Sequence, residues 1–104
     1  MGVYCIRNTA NGKSFVGASI DLPSIINRER AQLRLGVHYT RQLQKDWNEF
    51  GPNAFEFEVL DTLTPTDAPN YNPSDDLQVL EAMWLEKLLP FEERGYNARP
   101  KPRV

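Results

Sequence analysis

Two extended runs joined by a polar turn near the start constrain this chain more than any other feature. Residues 2–8 and 13–18 alternate or mix apolar residues with small ones, and Thr9-Ala10-Asn11-Gly12 lies between them. Asn-Gly between such runs is the strongest short hairpin signal, because the favoured two-residue turn needs positive φ at both central positions. A two-stranded hairpin is only marginally stable in water, so the remainder of the chain has to supply a third strand or a helical cover.

That cover is readable. Asp21 suits a helix N-cap and Pro23 the first turn. Ile25, Ile26, Leu33 and Leu35 supply apolar positions, and Gly36 is placed to stop the helix. A second helix is expected from about Thr40 to Phe50, with Leu43, Trp47 and Phe50 at i, i+4, i+7, ended by Gly51-Pro52. Residues 54–60 alternate Phe55, Phe57 and Val59 with Glu56 and Glu58, the pattern of a half-buried strand. Residues 61–74 read as a loop rich in Asp, Pro, Thr and Asn, long enough for an insertion or a lid. Ser74 is expected to cap a third helix, with Asp75 and Asp76 in its first turn and Leu77, Leu80, Trp84, Leu85 and Leu88 inward; Pro90 ends it. Gly95-Tyr96-Asn97 reads as a short turn. The order strand, strand, helix, helix, strand, helix gives an α+β fold, a three-stranded antiparallel sheet flanked by helices. One domain over 1–97 is expected, with a basic, proline-rich tail at 98–104 that is extended or disordered.

Composition narrows the setting. The chain has 104 residues, enough for one modest core. No apolar run is long enough for a membrane helix, and no basic segment followed by an apolar run opens the chain, so neither a span nor a signal peptide is expected. Cys5 is the only cysteine, which excludes an internal disulfide and fits a reducing, cytoplasmic setting. The net charge of −2 is unevenly spread. Residues 1–50 hold seven Lys/Arg against four Asp/Glu, +3, whereas residues 51–104 hold five against ten, −5. A basic face meeting phosphate and an ordinary surface of mixed sign both fit that distribution.

Glu81 stands out on physical grounds. Leu77, Glu81, Trp84 and Leu88 fall at i, i+4, i+7, i+11 and share one helix face. A carboxylate on an apolar stripe is costly unless it reaches solvent, pairs, or binds a cation. Tyr4 and Ile6 share one face of the first strand, opposite Val3, Cys5 and Arg7. His38, the single histidine, is either a proton carrier or phosphate ligand, or else polar loop surface.

The run G-V-Y-C-I-R-N-T-A-N-G-K-S-F-V-G at 2–17 resembles the signature hairpin of the GIY-YIG nuclease family. The segment G-V-H-Y-T-R-Q-L-Q-K-D-W-N-E-F-G-P-N-A-F-E-F-E-V-L is similar to that family's second helix and third strand, and G-Y-N at 95–97 to its closing motif. The resemblance implies divalent-metal-dependent hydrolysis of a DNA phosphodiester. It implies Glu81 as the ligand of one Mg²⁺ or Mn²⁺, Tyr4 beside the attacking water, and Asn97 and His38 near the phosphate. DNA is the implied partner, with low sequence specificity unless a protein partner or a second copy assists.

The departures from the family pattern are specific. Phe15 occupies the slot of the pattern's second tyrosine and has no hydroxyl. Ile25 stands where the first helix usually carries an arginine, and Glu29 where it often carries a histidine. Arg28, one turn along from Ile25, is a possible substitute for that arginine; otherwise Arg28, Arg30 and Arg34 form a solvated stripe. Positioned cationic groups supply several kcal/mol of barrier reduction in phosphoryl chemistry, so a weakened enzyme is expected. The alternative is an inactive domain of the same fold that binds DNA or a protein partner.

Overall fold

The computed structural model describes residues 1–64 and 73–97. Strand β1 (Gly2–Asn8) is central, paired antiparallel with β2 (Ser14–Ser19) on one side and β3 (Phe55–Thr62) on the other. Helices α1 (Leu22–Leu35), α2 (Arg41–Phe50) and α3 (Pro73–Leu88) complete the domain. This is the expected α+β arrangement, element for element. The loop expected at 61–74 is shorter at both ends, since β3 runs to Thr62 and α3 starts at Pro73; residues 65–72 and the expected tail at 98–104 lie outside the described residues.

The hairpin closes through a longer turn than Asn-Gly alone would make. The Asn8 N–H donates to Lys13 O and the Gly12 N–H to Asn8 O, both at 2.8 Å. Of the turn residues only Gly12 has positive φ, at 78°. The expectation of positive φ at both Asn11 and Gly12 is therefore corrected: a wider loop needs one left-handed residue before the second strand, not two.

Helices α1 and α2 cover one face of the sheet. Tyr4, Ile6, Phe15, Leu22, Leu33, Leu43, Trp47, Phe55 and Tyr96 form a continuous buried cluster there. Helix α1 is capped as its sequence implies: the Asp21 carboxylate accepts from the Ser24 N–H, and Gly36 ends it in a left-handed conformation. The opposite face carries Val3, Cys5 and Val16, all buried. Helix α3 packs against β1 and β2 there, with Leu77 buried and Trp84 Nε1 donating to Asp61.

Three apolar positions depart from expectation. Phe50 and Val59 are exposed, as is Leu35 at the end of α1. Phe50 is the last residue of α2 and overhangs the core. Val59 is paired with Tyr4 but sits on an outer strand, beside a register shift between Val3 and Tyr4 that leaves Leu60 unpaired. Such a bulge breaks the simple alternation read from the sequence. Helix α3 begins at Pro73, so Ser74 lies inside its first turn rather than at the cap.

The closing segment is more than a turn. The Tyr96 N–H donates to Ser14 O, and Gly95 forms a parallel bridge with Ser14 beside β2. Tyr96 is buried: its hydroxyl donates to Asp46 Oδ2 at 2.7 Å and accepts from Asn8 Nδ2 at 3.2 Å. That pair ties the hairpin, α2 and the 95–97 segment together.

Candidate active site

A cleft of about 440 Å³ opens between β2, α1 and α3. Tyr4, Phe15, Gly17, Ile25, Arg28, Glu29, Gln32, Tyr39, Glu81 and Asn97 contribute to its wall. The phenol from the first strand and the carboxylate from the third helix thus face one space.

Tyr4 reaches it by crossing over β2. Gly17 is its direct partner across the strands, and a Cβ on Gly17 would stand 2.5 Å from Tyr4 Oη. Only a glycine leaves room for the ring at that point. The Tyr4 hydroxyl donates to Glu29 Oε1 at 3.3 Å. Burial, followed by the charge of Glu29, raises its pKa far above the ordinary tyrosine range. Tyr4 is therefore a neutral phenol whose proton already points at a carboxylate.

Glu29 is the residue that sequence reasoning placed least well. It stands in the slot where the family often carries a histidine, and only 2% of it is exposed. Its Oε1 also accepts from the Tyr39 hydroxyl at 3.3 Å, and its Oε2 pairs with His38 Nε2. The signal was present: Ile25, Glu29 and Leu33 lie at i, i+4, i+8, another carboxylate on an apolar stripe. The same spacing argument that singled out Glu81 applies to it.

His38 is held behind the cleft rather than in it. Its side chain is fully buried, and the Thr40 N–H donates to Nδ1 at 3.0 Å. Nδ1 must then be unprotonated, so the ring proton is on Nε2 and is directed to Glu29. The Gln44 side chain fixes this turn, accepting from the His38 N–H and donating to Leu33 O. The expected contact of His38 with phosphate is not available to a ring enclosed in this way. Tyr39 stacks on it at 4.4 Å between ring centroids, is 65% exposed, and carries a pKa pushed up to about 12, first by partial desolvation and then by Glu29. Tyr39 was not among the residues anticipated.

The remaining candidates divide. Phe15 is a core ring, tilted against Tyr4 and edge-on to His38 and Tyr39. Ile25 is half-buried in the cleft wall, where it offers no charge. Arg28 is exposed at the same wall, and among the described residues it forms no ion pair. Arg30 instead lies over the Phe57 ring at 4.7 Å, so the three arginines do not form one stripe. Asn97 lines the cleft, but its amide is engaged at both ends with β2: Oδ1 accepts from the Val16 N–H and Nδ2 donates to Val16 O, each at 2.8 Å. Gln32 leaves a buried Oε1 without a partner among the described residues.

Glu81 is half-buried, and desolvation raises its pKa above the usual glutamate value. Among the described residues no cluster of three or more His, Cys, Asp or Glu side chains is arranged to hold a metal. A lone, poorly hydrated carboxylate at an open cleft fits a cation that keeps most of its water, as Mg²⁺ does, and not a closed zinc cage. No described helix is long and apolar enough to cross a membrane.

No family model matches the chain. It is 36% identical over 96 residues to Intron-associated endonuclease 1 of Enterobacteria phage T4, covering 92% of this chain and 36% of that protein. The chain thus spans about a third of that relative's length. Among solved structures, the catalytic domain of homing endonuclease I-TevI superposes with a TM-score of 0.77 at 28% identity, covering 95% of this chain and 98% of that one. A mutant of the same catalytic domain gives 0.74 at 29% identity, with 92% and 90% covered. Agreement in sequence, in element order and in three-dimensional superposition makes the chain a homologue of the I-TevI catalytic domain and a member of the GIY-YIG family.

Proposed function

We propose that this domain hydrolyses phosphodiester bonds in DNA with the help of one divalent cation held at Glu81. The observation that carries the reading is the meeting of Tyr4, Glu81 and Arg28 on one 440 Å³ cleft, built from the first strand, the third helix and the first helix. Mg²⁺ or Mn²⁺ at Glu81 would offset charge on the phosphate and on the leaving oxygen. Arg28, exposed at the rim, contacts a non-bridging phosphate oxygen. Tyr4 holds the attacking water through its phenol oxygen. Asn97 acts indirectly, pinning the β2 backbone over which the Tyr4 ring passes.

The rate is expected to be reduced. Ile25 supplies no charge where an arginine would stand, and Phe15 no hydroxyl. Arg28 enters from one turn away, about 4.5 Å along the helix axis.

Supercoiled plasmid with Mg²⁺ or Mn²⁺, beside a Glu81→Ala control, tests this reading. Nicking that requires both the cation and Glu81 supports it. Retardation of DNA without nicking would instead identify a binding module of the same fold.

A further inference from the structure

A phenol is a poor base while it keeps its own proton. It can take a proton from water only if that proton leaves at the same time, and the structure offers one recipient. Tyr4 Oη donates to Glu29 Oε1 at 3.3 Å, in a position closed to bulk water. The far oxygen of Glu29 is held by His38 Nε2, whose tautomer is set by the Thr40 N–H on Nδ1. Tyr39 Oη meets the same Oε1 at 3.3 Å, and Tyr39 is largely exposed at the cleft. One buried carboxylate oxygen is therefore shared by an enclosed phenol and by the phenol of a residue that is 65% exposed.

We propose that Glu29 is the proton acceptor behind Tyr4, and that Tyr39 returns the proton to solvent. This rests on the nuclease reading above. As the water oxygen bonds to phosphorus, one water O–H breaks and its proton goes to Tyr4 Oη. The original Tyr4 proton passes to Glu29 Oε1. The phosphorus–oxygen bond to the leaving sugar breaks, and that oxygen takes a proton from solvent. The Tyr39 hydroxyl then turns its hydrogen from Glu29 toward bulk water, takes the Glu29 proton on its oxygen and releases its own to solvent, which restores the starting state. His38 keeps its proton throughout and fixes the carboxylate plane. On this account Glu29 is not a lost phosphate contact but a positioned base acting through Tyr4.

A purely structural Glu29 would make the same contacts, so the test needs a readout that packing does not move. Single-turnover cleavage of plasmid by the wild-type chain is measured in mixtures of H₂O and D₂O, and the rate is compared with that of Glu29→Gln. The relay predicts a curved dependence on deuterium fraction, because two protons move together. It also predicts a cleavage rate lower by at least about 100-fold in Glu29→Gln, with DNA affinity unchanged. A straight dependence, or a folded Glu29→Gln that cleaves as fast as wild type, overturns the relay and leaves the nuclease reading intact. If Glu29→Gln does not fold, the isotope dependence of the wild type decides. Absence of cleavage by the wild type with either cation removes both proposals.

Discussion

Tyr4 and Gly17 are locked together: the phenol of one strand crosses the bare backbone of the next so closely that a single methyl at Gly17 would stand 2.5 Å from the hydroxyl. The glycine and the tyrosine of the hairpin signature thus form one device that carries a side chain from the middle of the sheet to the cleft.

Gly17→Ala should break that device. The ring has to move or the strands have to part, a packing conflict expected to cost about 1–3 kcal/mol. For a domain of this size each kcal/mol lowers the midpoint by about 4–8 °C, which a thermal melt would detect. Cleavage should fall further than stability accounts for, because the phenol leaves Glu29.

Glu81 is expected to show the opposite pattern. Its carboxyl is raised above the ordinary value by desolvation, so the folded state holds the proton more tightly than the unfolded state. The resulting stability is complete below the unfolded pKa and is lost as pH rises through the folded one. At neutral pH without metal, the charged carboxylate therefore disfavours folding. Glu81→Gln should melt higher than wild type at pH 7, should match it in acid, and should not support metal-dependent cleavage. A melting series across pH, with chelator present, checks the sign.

Tyr96 gives an alkaline counterpart. Burial and its bond to Asp46 push its pKa up to about 12. Stability from this group is intact below the unfolded value of about 10 and declines as pH climbs toward 12. Tyr96→Phe should flatten that decline in urea titrations. At neutral pH it should cost about 1–3 kcal/mol, since buried Asn8 and Asp46 each lose a partner.

The cleft wall offers a gain-of-function test. Ile25→Arg places a guanidinium beside Arg28 and should raise the cleavage rate by about tenfold or more, at some cost in packing against the core. Arg28→Ala should weaken DNA binding uniformly across sequences and reduce the salt slope by about one. Filter-binding at several salt concentrations measures it.

What the sequence revealed follows the range of the interactions. The hairpin, the Asp21 cap, the Gly36 stop and the α2 stripe at Leu43 and Trp47 depend on residues within a turn or two, and each was readable. Val59 was misplaced because a bulge is a property of two strands together. His38 and Tyr39 could not be assigned because their partner, Glu29, lies on another element and the contact exists only once α1 and the following turn pack together. Glu29 itself was recoverable: it shares its helix face with Ile25 and Leu33, as Glu81 does with Leu77 and Trp84. Asn97 matched the family motif, yet its commitment to Val16 spans 81 positions and shows only in three dimensions.

The amide of Asn97 stands in for a strand residue, filling both backbone valences of Val16 on an outer strand. A truncation ahead of residue 95 would uncover that ribbon. Its vacated N–H and C=O groups would then recruit a neighbouring copy, so the shortened protein should self-associate rather than simply soften.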